Sequence, residues 1–257
     1  MTLRRMVQIK VSNSFLSQVK WDDSSGCNFS INNQADIWRI NIHKNSSLIQ
    51  SLSTLLTRDE LVKADRFLHK HDSDRFIISR GALKLIMGRY LNRKPALIEI
   101  ETGENKKPYI KDSPLFYNLS HSGDWIILAV SDAGIGIDTE LVNKSFDFND
   151  VINEYFSPEE SCFINEEKSA DRFFILWTRK EALTKATGKG LDEDLKFIPS
   201  LDGQHYLEGN ILSSQNNWVI STFSLCNDYF ASAAISDKIT GMRFWETDLA
   251  HKNFAPF

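Results

Sequence analysis

Cysteine is scarce in this 257-residue chain, and Cys27, Cys162 and Cys226 have no metal-ligand spacing. An odd count so widely separated predicts reduced thiols in a cytoplasmic protein, not a disulfide framework. Long apolar runs are missing as well. The strongest, residues 125–130, falls far short of the ~20 residues that a bilayer-crossing helix needs. Arg4 and Arg5 precede a stretch, residues 7–15, that Gln, Lys, Ser and Asn interrupt, so no signal-peptide core is expected. Positive charge is not in excess: 30 Lys and Arg against 34 Asp and Glu leave a net −4, which argues against general nucleic-acid binding. A serine nucleophile with its base is also lacking, because Ser120 and His121 are neighbours on a strand end and point apart. The expectation is a soluble, cytoplasmic monomer with neither a nucleic-acid nor a membrane partner.

What is present is ordinary globular composition, 42% hydrophobic and 25% charged, with length enough for a substantial core. Charge is unevenly placed. Residues 58–111 carry thirteen Lys and Arg against eight Asp and Glu, a local +5 that leaves −9 for the rest. Such a segment reads either as an anion site or as a solvated helix face, and the count alone does not separate them. Residues 1–35, polar and weakly periodic, read as a peripheral extension, a short strand plus loop. Alternation over 37–42 predicts a strand, and Thr57-Arg58-Asp59-Glu60 is a capping box opening a helix to about residue 69. A second helix is expected over 73–91, then strands near 97–102, 109–110, 116–119 and 126–131. One hundred residues after Thr57, Ser157-Pro158-Glu159-Glu160 opens another capped helix. At that offset Ile37 meets Ile137, Arg80 meets Lys180, Ala82-Leu83 meets Ala182-Leu183 and Gly88 meets Gly188. Asp74-Arg75-Phe76 recurs as Asp171-Arg172-Phe173. The expected fold is α+β: an N-terminal half over 36–133 and a similar C-terminal half over 134–257, with final strands near 218–225 and 229–236.

Chemistry concentrates in four stretches. Trp177 to Gly190 has helical composition until its glycines, which puts Trp177, Glu181 and Lys185 on one face. Gly136-Ile137-Asp138-Thr139-Glu140 is a short strand with Asp138 and Glu140 pointing the same way. Gly134 and Gly136 allow close backbone approach beside those acids. Taken singly, the acids read as a solvated face and Glu181–Lys185 as a surface pair. Together, three carboxylates and a lysine suit a divalent cation holding a phosphate ester. Residues 116–123 end a strand at Ser120-His121-Ser122-Gly123, where hydroxyls, amides and an imidazole can converge on an anion. The turn 102–108, with Lys106 and Lys107, is an ordinary exposed loop unless it lies beside that cluster, where Lys107 becomes a phosphate contact.

Asn105-Lys106-Lys107-Pro108, Asn118-Leu119-Ser120-His121-Ser122, residues 136–140 and residues 177–185 resemble, in order and spacing, the motifs of Sfp-type 4'-phosphopantetheinyl transferases, the surfactin-synthetase-activating class. With Lys63 to Arg75 the resemblance covers roughly residues 36–235. It implies two α+β halves related by a pseudo-twofold and transfer of phosphopantetheine from coenzyme A to a serine of an apo acyl or peptidyl carrier protein, releasing 3',5'-ADP. It implies Mg2+ held by Asp138, Glu140 and Glu181, with Lys185 on the pyrophosphate. It also implies His121, Lys63 and Arg75 on phosphates, the 3'-phosphate included, and Lys106, Lys107, Asn118 and Ser120 around the adenosine end. Asp138, Glu181 and Lys185 would be catalytic, with Glu181 or a metal-bound water as base. Three positions depart from the family pattern: Lys106 replaces a glycine, Thr139 an aliphatic residue, and Glu60 a basic one. A nucleotide phosphoesterase and a non-catalytic coenzyme A binder are the rival readings, and the physiological carrier is left open.

Overall fold

A computed structural model describes residues 8–103, 105–190 and 193–254. The expectations for Arg4 and Arg5, and for position 104 of the 102–108 turn, lie outside the described residues. Twelve strands and six α-helices occur among the described residues. The chain begins with β1 (Gln8–Leu16), β2 (Asp22–Asp23) and β3 (Gln34–Asn41). Helices α1 (Ile49–Ser53), α2 (Arg58–Asp65) and α3 (Lys70–Leu91) follow, then β4 (Ile100–Thr102), β5 (Pro108–Ile110), β6 (Phe116–Ser122), β7 (Trp125–Ser131) and β8 (Ile135–Leu141). Next come α4 (Asn149–Tyr155), α5 (Pro158–Glu167) and α6 (Ala170–Thr187), and finally β9 (Gly203–Glu208), β10 (Trp218–Cys226), β11 (Tyr229–Ser236) and β12 (Gly241–Thr247).

Two five-stranded sheets carry the fold, in the orders β8-β11-β10-β1-β9 and β2-β12-β3-β7-β6. Period-two alternation assigns each strand face to a layer. On β3 and β7, Trp38, Ile40, Ile126 and Leu128 pack on α3 through Ile78, Ala82 and Ile86. Their opposite faces, Ile37, Ile127 and Ala129, meet Ile137, Phe223 and Ala233 of the other sheet. The far face of that sheet, Val11, Ile220 and Ala234, packs on α6 through Ala182 and Leu183. The α+β architecture is therefore four layers: helix, sheet, sheet, helix.

Both capping boxes form. Thr57 and Ser157 each accept from the backbone of the glutamate three residues on, and that glutamate returns a bond to the cap. Each glutamate also neutralises a lysine buried on the following long helix, Glu60 with Lys84 at 3.2 Å and Glu160 with Lys180 at 2.9 Å. Glu60 is thus a structural partner in the place where a basic residue was expected.

The chain ends cross over, which local pattern did not reveal. Residues 8–16 are not peripheral: β1 runs parallel to β10 and antiparallel to β9, with Ile9 and Val11 fully buried. Its alternation is disguised by Asn13, which is buried because its amide donates to the carbonyls of Pro199 and Leu201. At the other end β12 runs parallel to β3. Each sheet is completed by a strand from the opposite terminus.

Candidate active site

The site forms where the edge strands β6 and β8 of the two sheets lie side by side under α6. Asn118 fixes their register, its side-chain oxygen accepting from the Ile137 amide at 2.8 Å. Two residues on, Ser120 Oγ donates to Asp138 Oδ1 at 2.8 Å, and two further on Ser122 Oγ donates to Glu140 Oε2 at 2.8 Å. The intervening side chains of β6 face the other way. Tyr117 and Leu119 join the α3 core, and His121 enters a cavity against α2 and α3. One alternating strand supplies both hydroxyls for the acids and the imidazole for a separate basic pocket.

Helix α6 reaches the acids because nothing stands between. A Cβ built on Gly136 would lie 2.1 Å from the Ala182 carbonyl and 2.3 Å from the Ala186 amide, so only glycine permits this crossing. Ser169 caps the start of α6, and Gly188 ends it in the left-handed region at φ 77°. Trp177, on the face shared with Glu181 and Lys185, stacks on Phe173. From that face Lys185 Nζ donates to Asp138 Oδ1 at 2.6 Å and to Ser120 Oγ at 3.2 Å. Asp138 is 2% exposed, yet its Oδ2 has no hydrogen-bond partner among the described residues.

Electrostatics mark this as a place short of cations. Burial first, then the Asp138 charge, pushes Glu140 up to about 7, against the opposing Ser122 hydrogen bond. Burial and Asp138 push Glu181 up to about 7 as well. Burial disfavours the Lys185 ammonium, but the Asp138 charge and hydrogen bond outweigh it and raise its pKa. Among the described residues, no three His, Cys, Asp or Glu side chains stand arranged as a ready metal cage. The orphaned Oδ2 and the mutual repulsion of three carboxylates nevertheless fit a divalent cation. Thr139, the second departure from the pattern, is neutralised structurally: its hydroxyl donates to the Phe230 carbonyl.

A groove leads away from these acids. A cavity of about 340 Å³ is lined by Lys106, Lys107, Asn118, Glu181 and Lys185. It shares Pro108 and Leu119 with a cavity of about 270 Å³ that holds Lys63, Arg80 and His121. In the second, Lys63 Nζ and the Arg80 guanidinium lie 5.3 and 5.5 Å from the Phe76 ring centre. Arg75 stands beside this cavity and donates to Asp72 at 2.6 Å. Burial and the nearby Arg75 charge lower the His121 pKa.

The expected residues therefore fall into two groups along one groove, with three differences in detail. Ser120 holds Asp138, and Asn118 holds Ile137. Lys107 Nζ donates to the carbonyls of Ile135 and Ala186. Lys106, in place of glycine, keeps the left-handed turn at φ 58°. Sequence reasoning gave Arg80 no place in the site, and it placed the Ser122 hydroxyl in an anion cluster without pairing it to Glu140. Arg80 lies four residues after Phe76 and three before Leu83, a helical spacing that would have placed all three on one face. Ser122 was visible from its period-two spacing to Ser120.

Comparison with known proteins shows the family of the chain. Residues 134–234 match the family model of the 4'-phosphopantetheinyl transferase superfamily, and residues 43–133 match that of the 4'-phosphopantetheinyl transferase N-terminal domain. The chain is 34% identical over 169 residues to 4'-phosphopantetheinyl transferase HetI of Nostoc sp., covering 63% of this chain and 71% of the relative. It is 33% identical over 184 residues to 4'-phosphopantetheinyl transferase psf-1 of Bacillus pumilus, covering 69% and 77%. To 4'-phosphopantetheinyl transferase Sfp of Bacillus subtilis it is 32% identical over 162 residues, covering 60% and 71%. The chain belongs to the 4'-phosphopantetheinyl transferase superfamily.

Proposed function

We propose that this enzyme moves the 4'-phosphopantetheine group of coenzyme A onto a serine of an apo carrier protein, and that the β6–β8–α6 site does the chemistry. The observation that carries the assignment is the buried Asp138 carboxylate, bound by Lys185 on one oxygen and without a partner on the other among the described residues, at the junction of a carboxylate site and a basic groove. The groove's dimensions and charges suit a long anionic ligand. His121, Lys63 and Arg80, with Arg75 beside them, bind its terminal phosphate. Lys106 and the neighbouring backbone flank the adenosine end.

Asp138, Glu140 and Glu181 would hold Mg2+, which when bound neutralises charge on the pyrophosphate. Ser120 and Ser122 orient two of those carboxylates by donating to one oxygen of each. Lys185 supplies a fixed positive charge where negative charge grows as 3',5'-ADP departs. Glu181 is the side chain assigned to take the serine proton, because it lines the groove beside Lys185 at the carboxylate end. Positioning and charge carry most of the catalysis, as in other phosphoryl-type transfers. We also infer two repeated halves, 36–133 and 134–257, supported by the paired capping boxes and their buried Glu–Lys partners. Among the described residues no helix is long and apolar enough to cross a membrane.

The test is incubation with coenzyme A and Mg2+, with and without a panel of apo carriers. Transfer predicts a carrier that gains one phosphopantetheine and 3',5'-ADP released in equal amount. Breakdown of coenzyme A at the same rate without any carrier would point to a phosphoesterase instead.

A further inference from the structure

Lys107 is the groove lysine whose ammonium is engaged by backbone on both sides. It donates to the Ala186 carbonyl at 2.7 Å and to the Ile135 carbonyl at 3.1 Å. Ala186 lies in the last turn of α6, where carbonyls lack an intrahelical donor and the helix dipole is negative. Ile135 is the first residue of β8. These two carbonyls flank the tightest crossing in the site, where a Cβ at Gly136 would stand 2.3 Å from the Ala186 amide. The turn carrying Lys107 docks on the same helix end. A Cβ at Gly188 would touch the Asn105 and Lys107 Cβ atoms at 3.4 and 3.7 Å. Lys185, next to Ala186, reaches Asp138 three residues along β8 from Ile135. Burial alone pushes the Lys107 ammonium down to about 8. The two carbonyls supply acceptors that water no longer can.

We propose that Lys107 is a positioning residue, a cationic staple that pins the end of α6 to the start of β8 and so aims Lys185 and Glu181 at Asp138, and that it is not a phosphate ligand. Removing its charge frees two carbonyls at the junction and lets the last turn of α6 fray. Lys185 stands on that turn. Recognition of the terminal phosphate, assigned above to the cavity of Lys63, Arg80 and His121, is untouched. The kinetic half of this inference rests on the transferase reading; the structural half does not.

Two measurements on Lys107→Met test it: hydrogen exchange of the amides at the end of α6, and kinetics with coenzyme A and dephospho-coenzyme A. The expected result is exchange at least ~10-fold faster at the α6 terminus, the fold-change for one lost charge-assisted hydrogen bond. With it, kcat falls while the ratio of the two KM values stays at the wild-type figure. Lys107→Arg, which keeps a cation and several donors, restores protection and most of kcat, and it carries the test alone should the Met variant not fold. Wild-type exchange in a folded Lys107→Met protein, or a lost preference for coenzyme A over its dephospho form in either variant, overturns the proposal. Faster exchange in an enzyme that modifies no carrier would uphold the staple while removing the transferase reading.

Discussion

Asp138 is the residue on which the site turns, because Ser120 and Lys185 both converge on its Oδ1 while Oδ2 stays unpartnered among the described residues. Replacing Lys185 by Met keeps the packing of the stem and deletes the ammonium. Single-turnover transfer should slow by roughly 10²–10³-fold, the cost of one electrostatic donor. Calorimetry should show Mg2+ binding retained. Glu181→Gln should instead weaken Mg2+ binding in the same titration, and equal Mg2+ loss in both variants would contradict the division of roles along α6. Lys106 offers a stability test. It holds φ 58°, a conformation that costs a side-chain-bearing residue ~1 kcal/mol relative to glycine. Lys106→Gly should therefore raise the urea midpoint slightly or leave it unchanged, because glycine's greater unfolded-state entropy offsets part of the gain. A marked fall in the midpoint would show that the Lys106 side chain makes contacts outweighing its backbone strain. The residue types at this site were legible in sequence because Asp138-x-Glu140 and Glu181-x-x-x-Lys185 have fixed periods on a strand and a helix. The directions of Asn118, Ser120 and Lys107 were not. A side chain's partner depends on what another segment brings within 3 Å, and no local pattern encodes that.

At the scale of elements, the crossing of α6 over β8 decides the geometry. Gly136→Ala would place a methyl against the Ala182 carbonyl and the Ala186 amide. The helix must move away, at ~1–3 kcal/mol by analogy with overpacked cores, and Lys185 withdraws with it. The expected outcome is a folded protein with a lowered melting temperature and little transfer; wild-type turnover would contradict the crossing. The same elements set a pH dependence. Glu140 and Glu181 titrate near 7 in the fold, against an ordinary value of 4.5. A carboxyl whose pKa is raised by folding holds its proton more tightly when folded. Its contribution is therefore most favourable below 4.5 and declines as pH rises to about 7, by at most ~3 kcal/mol for one such group. Metal-free protein should melt at lower temperature at pH 7.5 than at pH 5.5, and Glu181→Gln should reduce that difference. An equal or steeper decline in the variant would argue that Glu181 is not among the repelling acids. Most of these elements were readable, the capping boxes and α6 above all, because their signals lie within a few residues of one another.

Across the whole molecule, the sheets are closed by strands from opposite ends of the chain. Val11 pairs with Trp218, and Phe244 pairs with Ile37. Pairing at such separation leaves no trace in local periodicity, and Asn13 further masks the buried face of β1. That is why residues 8–16 looked peripheral while the motif-bearing middle of the chain was clear. Deleting residues 1–16 would leave β10 and β9 without the strand between them. The truncated chain should lose cooperative unfolding and coenzyme A binding together, as followed by circular dichroism and calorimetry. Retention of both would show that β1 is dispensable. The central claim, that the acids between β8 and α6 drive transfer from coenzyme A to a carrier serine, is tested most directly by intact-mass measurement of an apo carrier. The carrier is incubated with coenzyme A, Mg2+ and either wild-type enzyme or a folded Asp138→Ala variant. The account predicts one phosphopantetheine added per carrier serine by the wild type and none by the variant. Equal modification by both would contradict it.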